Sequence, residues 1–457
     1  MPKTFPDRFL WGCSTAAYQI EGSPAADGAG RSIWHQFSHT PGKILNGDTG
    51  DTACDHYNRC GEDIALMQQL GMQAYRFSIA WGRIFPDGFG SINKPGMDFY
   101  DRLVDSLLNV NISPMATLYH WDLPQVLDNR GGWLNPEVIK WFGDYAQSVF
   151  ERLDDRIEHW VTINEPWVIA ECGYLRGTHA PGHNSDYEAA IASQNLMSAH
   201  AEAVRRYRSV GKHKIGLAVN LEPKYPASQD PQDLAAAKRA DAYMNRQYLD
   251  AALLGCFPAE MEAILGDAWP RQLPDHSGKL DESLDFVGIN YYTRAVTRHS
   301  TESWPLQSET VRQRQSTYTD TGWEVYPQAF TDVLRWVRDR YDNPPVYITE
   351  NGAAFRDPPV AIDNRIDDPL RQDYLRTHIG AVHEAILDGC DIRGYFAWSL
   401  MDNLEWAYGF SKRFGLVHVN YETLQRTPKE SAKLYKRIIQ SHGGCLKNLT
   451  DDRTNLK

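Results

Sequence analysis

The stretch His159-Trp160-Val161-Thr162-Ile163-Asn164-Glu165-Pro166 carries the plan of the whole chain. Residues 159–163 form a short apolar run of strand type, and the run stops in Asn164 and Glu165, followed by a proline that has no N–H to donate. Just before it lies a helix signature. Asn135 can cap, Pro136 occupies the first helical position, and Val138, Trp141/Phe142, Tyr145, Val149 and Leu153 then recur with helical spacing. Helix, short strand, then chemistry-bearing side chains at the strand's end is a unit that repeats along the sequence.

Strand-type runs occupy 9–16, 73–79, 114–119, 159–163, 214–219, 285–289, 346–349 and 393–398. Between them stand Met97, Tyr100, Leu103/Val104 and Leu107 at helical period, then Phe330, Val333/Leu334 and Val337 after Pro327. Ile64, Met67 and Leu70 end at Gly71, a typical stop. Strands alternating with crossover helices imply a parallel sheet. Eight units predict an α/β fold closed into a single (β/α)8 TIM barrel, with an open doubly wound sheet as the competing architecture. The 457 residues would make about three domains at ~150 each, but an α/β barrel holds about 250 or more as one unit. We find no internal repeat and no low-complexity linker. Residues 1–440 are therefore read as one catalytic barrel domain and 441–457 as a polar C-terminal tail.

Charge and composition exclude several partners. With 47 basic against 59 acidic residues the net charge is −12, which argues against a nucleic-acid backbone or an anionic membrane surface as partner. No stretch approaches 18 uncharged apolar residues, so no membrane span is expected. The apolar run at 9–13 is too short, and too interrupted by Pro2, Pro6 and Asp7, for a secretion signal. The glycosylation triplets at Asn111 and Asn448 carry no weight without one. Seven cysteines, an odd number with no CxxC pair and no Cys/His spacing like a zinc site, read as reduced, buried thiols in a cytoplasmic protein. Aromatic residues make up 12%; most are assigned to the core, Trp121, Trp133, Trp141 and Trp160 among them, and the surplus suits stacking on sugar faces. His56, His378 and His383 are read as ordinary core or surface residues.

The strand ends supply the chemistry. Gln19 and Glu21 follow the first, Arg76 lies in the second, and His120 and Trp121 end the third. Asn164 and Glu165 end the fourth, Asn220 the fifth, Asn290 and Tyr292 the sixth, Glu350 the seventh and Trp398 the eighth. In a parallel barrel these ends converge on one rim, where active sites sit. Glu165 and Glu350 could face each other there, and two facing carboxyl groups are what glycosidic cleavage requires: one protonated, one ionised. Pro166 leaves the Glu165 carboxylate one backbone donor poorer. Arg76 could hold Glu350 ionised.

These residues stand in ordered segments: Phe9-Leu10-Trp11-Gly12 with Ala16-Ala17-Tyr18-Gln19-Ile20-Glu21-Gly22, Tyr75-Arg76-Phe77-Ser78-Ile79-Ala80-Trp81, Leu118 to Pro124, Thr162 to Pro166, Gly288 to Tyr292, Ile348 to Gly352 and Phe414-Gly415-Leu416-Val417. On them the chain resembles glycoside hydrolase family 1, the β-glucosidase family, over nearly its whole length. The resemblance implies a retaining β-glycosidase that releases terminal non-reducing β-D-glucose from β-glucosides and cello-oligosaccharides, with Glu165 as acid/base and Glu350 as nucleophile. It implies hydroxyl binding by Gln19, His120, Asn164, Glu405 and Trp406, stacking on Trp398, and orientation of Glu350 by Tyr292, with Arg76 and Asn290 in support. Trp167, His179, Trp323 and Phe414 fall on the aglycone side. The implied partner is a small oligosaccharide or an aryl or alkyl β-glucoside, with no cofactor and no metal, and a homo-oligomer is left open.

Two departures matter. Asn420 stands where the family usually has Asp, a structural exchange. Phe414 aligns with a position that is often Tyr in 6-phospho-glycosidases, and those relatives also replace the Glu405-Trp406 pair. Its presence here favours unphosphorylated sugars, although Lys412 and Arg413 keep a 6-phospho-β-glycosidase as an alternative. A catalytically weak sugar-binding relative and a transglycosylase are the others.

Overall fold

The computed structural model describes residues 4–271, 279–361 and 363–446. Eight parallel strands close into a barrel. They are β1 (Leu10–Ser14), β2 (Ala74–Ser78), β3 (Ser113–Tyr119), β4 (His159–Asn164), β5 (Lys214–Asn220), β6 (Phe286–Asn290), β7 (Val346–Asn351) and β8 (Ile392–Trp398). Closure comes from β1, which pairs with both β2 and β8 in parallel. Long helices cross between strands: α1 (His56–Gln69), α2 (Lys94–Leu108), α3 (Glu137–Leu153), α4 (Asp186–Val210), α5 (Gln247–Leu254), α6 (Pro327–Arg340), α7 (Pro369–Leu387) and α8 (Glu430–Gln440). The barrel is the expected fold, and the open sheet is excluded.

The barrel interior shows why it closes. Leu10, Ala74, Met115, Val161, Ala218, Phe286, Tyr347 and Phe396, one from each strand, form a cluster of their own. Three rings fill the space left by two alanines, so small and large side chains interlock below the rim. Gly12 in β1 belongs to the same fit, because a Cβ there would stand 2.6 Å from the Phe396 ring.

Some features lie outside the sequence expectation. A small sheet of Lys224–Pro226, Ala295–His299 and Ser308–Thr310 and a hairpin of Val417–Val419 with Arg426–Pro428 decorate the barrel. Trp133 and Trp160 are fully buried, whereas Trp141 is only half-buried and stacks on Phe89. Cys13, Cys54 and Cys390 are buried, but Cys256 is exposed in the turn after α5. The first residues of the polar C-terminal tail pack on the barrel: Phe5 donates its N–H to the His442 carbonyl at 3.0 Å and Leu446 is buried. Residues 447–457 of that tail lie outside the described residues. Among the described residues no helix is long and apolar enough to cross a membrane.

Candidate active site

Both glutamates sit just past a shift in strand register. The β4–β5 pairing slips between Val161 and Asn164, and the β7–β6 pairing slips between Ile348 and Glu350. Such slips re-aim the side chains that follow them. Glu165 also takes a left-handed backbone, φ 49°, before the short helix Pro166–Val168. Both side chains are buried, 6% exposed for Glu165 and 3% for Glu350, which makes their partners decisive.

Their partners differ in charge. Glu350 Oε1 accepts from Arg76 Nη1 at 2.6 Å and Oε2 from the Tyr292 hydroxyl at 2.6 Å. Glu165 Oε1 accepts from the neutral Asn290 amide at 2.6 Å. Burial, then the negative charge of Glu350, pushes the Glu165 carboxyl up to about 8. Burial also pushes Glu350 up, but the Arg76 guanidinium and the Tyr292 hydroxyl oppose it directly. The pair is therefore asymmetric: a cation and a phenol favour the ionised form of Glu350, whereas a single neutral amide favours that of Glu165.

Arg76 is the hub beneath. It is fully buried, and besides Glu350 it reaches Asn164 Oδ1 at 2.6 Å and Thr117 Oγ1 at 3.1 Å. That contact fixes the Asn164 amide, because a guanidinium only donates. Asn164 Nδ2 therefore donates to His120 Nε2 at 3.1 Å. Burial and the Arg76 charge hold His120 neutral, well below its usual range, so its one proton sits on Nδ1. Asn290 is fixed in the same way by Thr349, whose hydroxyl donates to Asn290 Oδ1 at 2.6 Å.

Three buried polar atoms around this hub have no hydrogen-bond partner among the described residues: Gln19 Oε1, His120 Nδ1 and Glu405 Oε2. Gln19 is oriented by its own amide nitrogen, which donates to Asn403 Oδ1 at 3.1 Å and to the Leu404 carbonyl at 2.9 Å. Burial, then Glu350, pushes Glu405 up to about 8. Unmet donors and acceptors of both kinds are what a polyhydroxylated ligand satisfies. A flat wall completes the pocket. The His120 ring stacks near Trp398 (5.8 Å between centroids) and Trp406 (5.9 Å). The peptide after Trp398 is cis, and its carbonyl approaches Gly352 so closely that a Cβ at 352 would lie 1.7 Å from the oxygen.

The aglycone-side residues do not form one cluster. Trp323 and Phe414 pack on Tyr292, at 5.0 and 6.1 Å between centroids. His179 lies instead with Trp34 and Trp121, at 5.3 and 5.7 Å, and burial pushes it down to about 4. Trp167 is half-buried, and its indole N–H has no partner among the described residues. Trp121, read as plain core, is part of the site wall: it packs on Trp406 at 4.5 Å and donates to the Asn164 carbonyl at 2.9 Å. Thr117, Thr349, Asn403 and Trp34 were not anticipated. Thr349 could have been found from its place next to Glu350 on β7; nothing local marks Thr117 or Trp34. The two cations of the phosphosugar alternative are engaged elsewhere, Arg413 with Asp402 and Lys412 with the Asp320 carbonyl.

The family model described as Glycosyl hydrolase family 1 matches residues 1–444. The chain is 46% identical to "Beta-glucosidase A" of Thermotoga maritima over 443 residues, 96% of this chain and 99% of that protein. It is 46% identical to the "1,4-beta-D-glucan glucohydrolase" of Thermotoga neapolitana, with the same coverage of 96% and 99%. Among solved structures, the β-glucosidase from Thermotoga maritima in complex with deoxynojirimycin superposes with a TM-score of 0.94 at 46% identity, covering 96% of this chain and 99% of that one.

Proposed function

The chain belongs to glycosyl hydrolase family 1, and from that premise we propose how its residues divide the work of cleaving a β-glucoside. It is a retaining β-glycosidase that releases terminal β-D-glucose from the non-reducing end of β-glucosides and cello-oligosaccharides by double displacement. The assignment of roles rests on one observation: Glu350 is held by a cation and a phenol, Glu165 by a neutral amide.

Protonated Glu165 donates to the glycosidic oxygen while the Glu350 carboxylate attacks the anomeric carbon from the opposite face. The C–O bond to the aglycone breaks and an ester to Glu350 forms. The ester carries no charge, so the field that had pushed Glu165 up is removed at that moment. Glu165, now ionised, takes a proton from water, and the water opens the ester on the face the aglycone left. Configuration is retained after two inversions.

Gln19, His120, Asn164, Glu405 and Trp406 bind the sugar's hydroxyls in this reading, and Trp398 carries its apolar face. The three unmet polar atoms support it, since a hydroxyl in the wrong orientation would strand one of them. Trp323 and Phe414 line the aglycone side next to Tyr292, with Trp167 and His179 assigned to the same side. We place the enzyme in a reducing cytoplasm, a reading supported by its seven free cysteines, and treat residues 1–440 as one catalytic unit.

The test uses azide as an external nucleophile. Glu350→Gly should lose on the order of 10⁴–10⁶ in kcat on an aryl β-glucoside, and azide should restore turnover with an α-glucosyl azide product, a single inversion. Glu165→Ala should yield the β-azide instead. Near-normal activity of Glu350→Gly, or the same anomer from both variants, refutes the assignment.

A further inference from the structure

A second cluster of titratable groups lies apart from the two glutamates. His35 stands on the short helix Ile33–Ser38, and His39 caps its end one turn later, on the same face. The two rings lie 4.2 Å apart between centroids. Asp51 reaches both from the neighbouring loop: Oδ1 is 3.4 Å from His35 Nδ1, and Oδ2 is 3.0 Å from His39 Nε2.

The protons around His39 do not match its neighbours. Its Nδ1 lies 2.7 Å from the His35 carbonyl, which can only accept, so Nδ1 carries the hydrogen. In a neutral ring Nε2 then turns a lone pair toward a carboxylate oxygen at 3.0 Å. His35 Nδ1, on the other side of the carboxylate, is buried and has no hydrogen-bond partner among the described residues. A cation on His39 Nε2, either a proton or a metal ion, turns this contact attractive.

We propose that His35 Nδ1, His39 Nε2 and the Asp51 carboxylate bind one divalent transition-metal ion of the zinc class, with water completing its shell. Around a tetrahedral ion with bonds of about 2.0–2.1 Å, neighbouring ligand atoms stand about 3.3 Å apart. The contacts of 3.4 and 3.0 Å run to different Asp51 oxygens, one for each imidazole, and one ligand atom from each of the three residues lies within 4.8 Å of the others, a spread that small side-chain adjustments close onto one ion. Two imidazoles with one carboxylate suit zinc chemistry. The His39 Nδ1 contact to a backbone carbonyl is the outer partner that fixes a metal-binding imidazole. Side-chain exposures of 39% for His39 and 47% for Asp51 leave the ion a path in.

The ion takes no part in hydrolysis; it clamps two segments that back the sugar pocket. Trp34, next to His35, packs on Trp406 at 4.5 Å. The Ser38 hydroxyl is 2.8 Å from that of Tyr18, the neighbour of Gln19. Asp48, on the loop that carries Asp51, accepts from the Phe410 N–H at 2.9 Å, in the turn that begins at Trp406.

The test is metal binding by untagged protein stripped with chelator and then freed of it. Calorimetry with Zn²⁺ should show one equivalent taken up, and Co²⁺ should give a visible absorption band that Zn²⁺ displaces. H39Q and H35Q should lose both signals, and D51N should weaken the affinity at least about tenfold. H39Q, a surface change, should keep the parent's circular dichroism and hydrolytic rate, and Zn²⁺ should raise the melting temperature of the parent alone. No stoichiometric uptake by the parent would mean that a proton is the only cation shared, and would overturn the proposal. So would uptake and a Co²⁺ band that persist unchanged in H39Q.

Discussion

Asn290 donates its amide to Glu165 Oε1 at 2.6 Å, and it is the one side chain that hydrogen-bonds that carboxyl among the described residues. A donor of this kind favours the ionised form. The amide thus lowers the Glu165 carboxyl against the rise set by burial and by Glu350. The protonated form is needed for the first step, so kcat/KM should fall as pH rises through about 8.

Asn290→Ala should move that alkaline limb to higher pH, because the group that stabilised the carboxylate is gone. The rate at the optimum should fall at the same time, since Asn290 also donates to Asn164 at 3.1 Å. A pH–rate profile on an aryl β-glucoside checks the sign; a limb shifted downward would show that the amide is not acting on Glu165.

Arg76→Met should act chiefly on the opposite limb, and it should also lift the alkaline one, because the same charge lowers Glu165. Without its cation, Glu350 is pulled up by burial with only the neutral donors Tyr292 and Asn290 to oppose it, so the acidic limb of kcat/KM should move to higher pH. Removing one partner of a buried ion pair costs about 3–5 kcal/mol of stability. Urea unfolding near neutral pH reads that loss, and kinetics on the folded fraction reads the limb.

Gln19→Leu should weaken transition-state binding by about 1–3 kcal/mol, the cost of a buried polar group left unmet. A panel of monodeoxy glucosides makes the experiment specific. One deoxy sugar should react poorly with the parent enzyme yet lose nothing further in the variant, and that hydroxyl is the partner of Gln19 Oε1. Equal further losses across the panel would point to a general loosening of the pocket. Glu405→Gln should give the same kind of coupling on its own hydroxyl.

Chelator treatment should leave kcat and KM on an aryl β-glucoside unchanged, because two carboxyl groups suffice for both steps. Loss of most of the activity, recovered on adding metal back, would place an ion in the chemistry itself.

The strands were legible because each is a short buried run ending in polar residues; the eight expected runs differ from the observed strands by two residues or fewer at either end. The three-residue strands Lys224–Pro226 and Val417–Val419 were not, since three residues show no period. The two glutamates could be singled out as carboxylates at the ends of the fourth and seventh strands. The sequence suggested Arg76 on β2 as the cation that holds Glu350 ionised; the neutral amide from β6 that Glu165 meets instead could not be read, because β4 and β6 are brought to one rim only in the closed barrel. Trp121 is buried, as expected of a core residue, and it also stands at the pocket wall. A buried tryptophan in a core and one forming a pocket wall look alike until Trp406 is brought against it by the return of the chain after β8.

The backbone at Glu165 bears on how such a chain can change. A non-glycine residue held at φ 49° costs about 1–2 kcal/mol, and the buried carboxyl adds to that. Asn or Gly would sit there more easily. Selection for a sturdier fold and selection for turnover therefore pull in opposite directions at this one position. Drift released from the need to hydrolyse should erase the acid early, leaving a better-folded protein whose pocket still fits sugar.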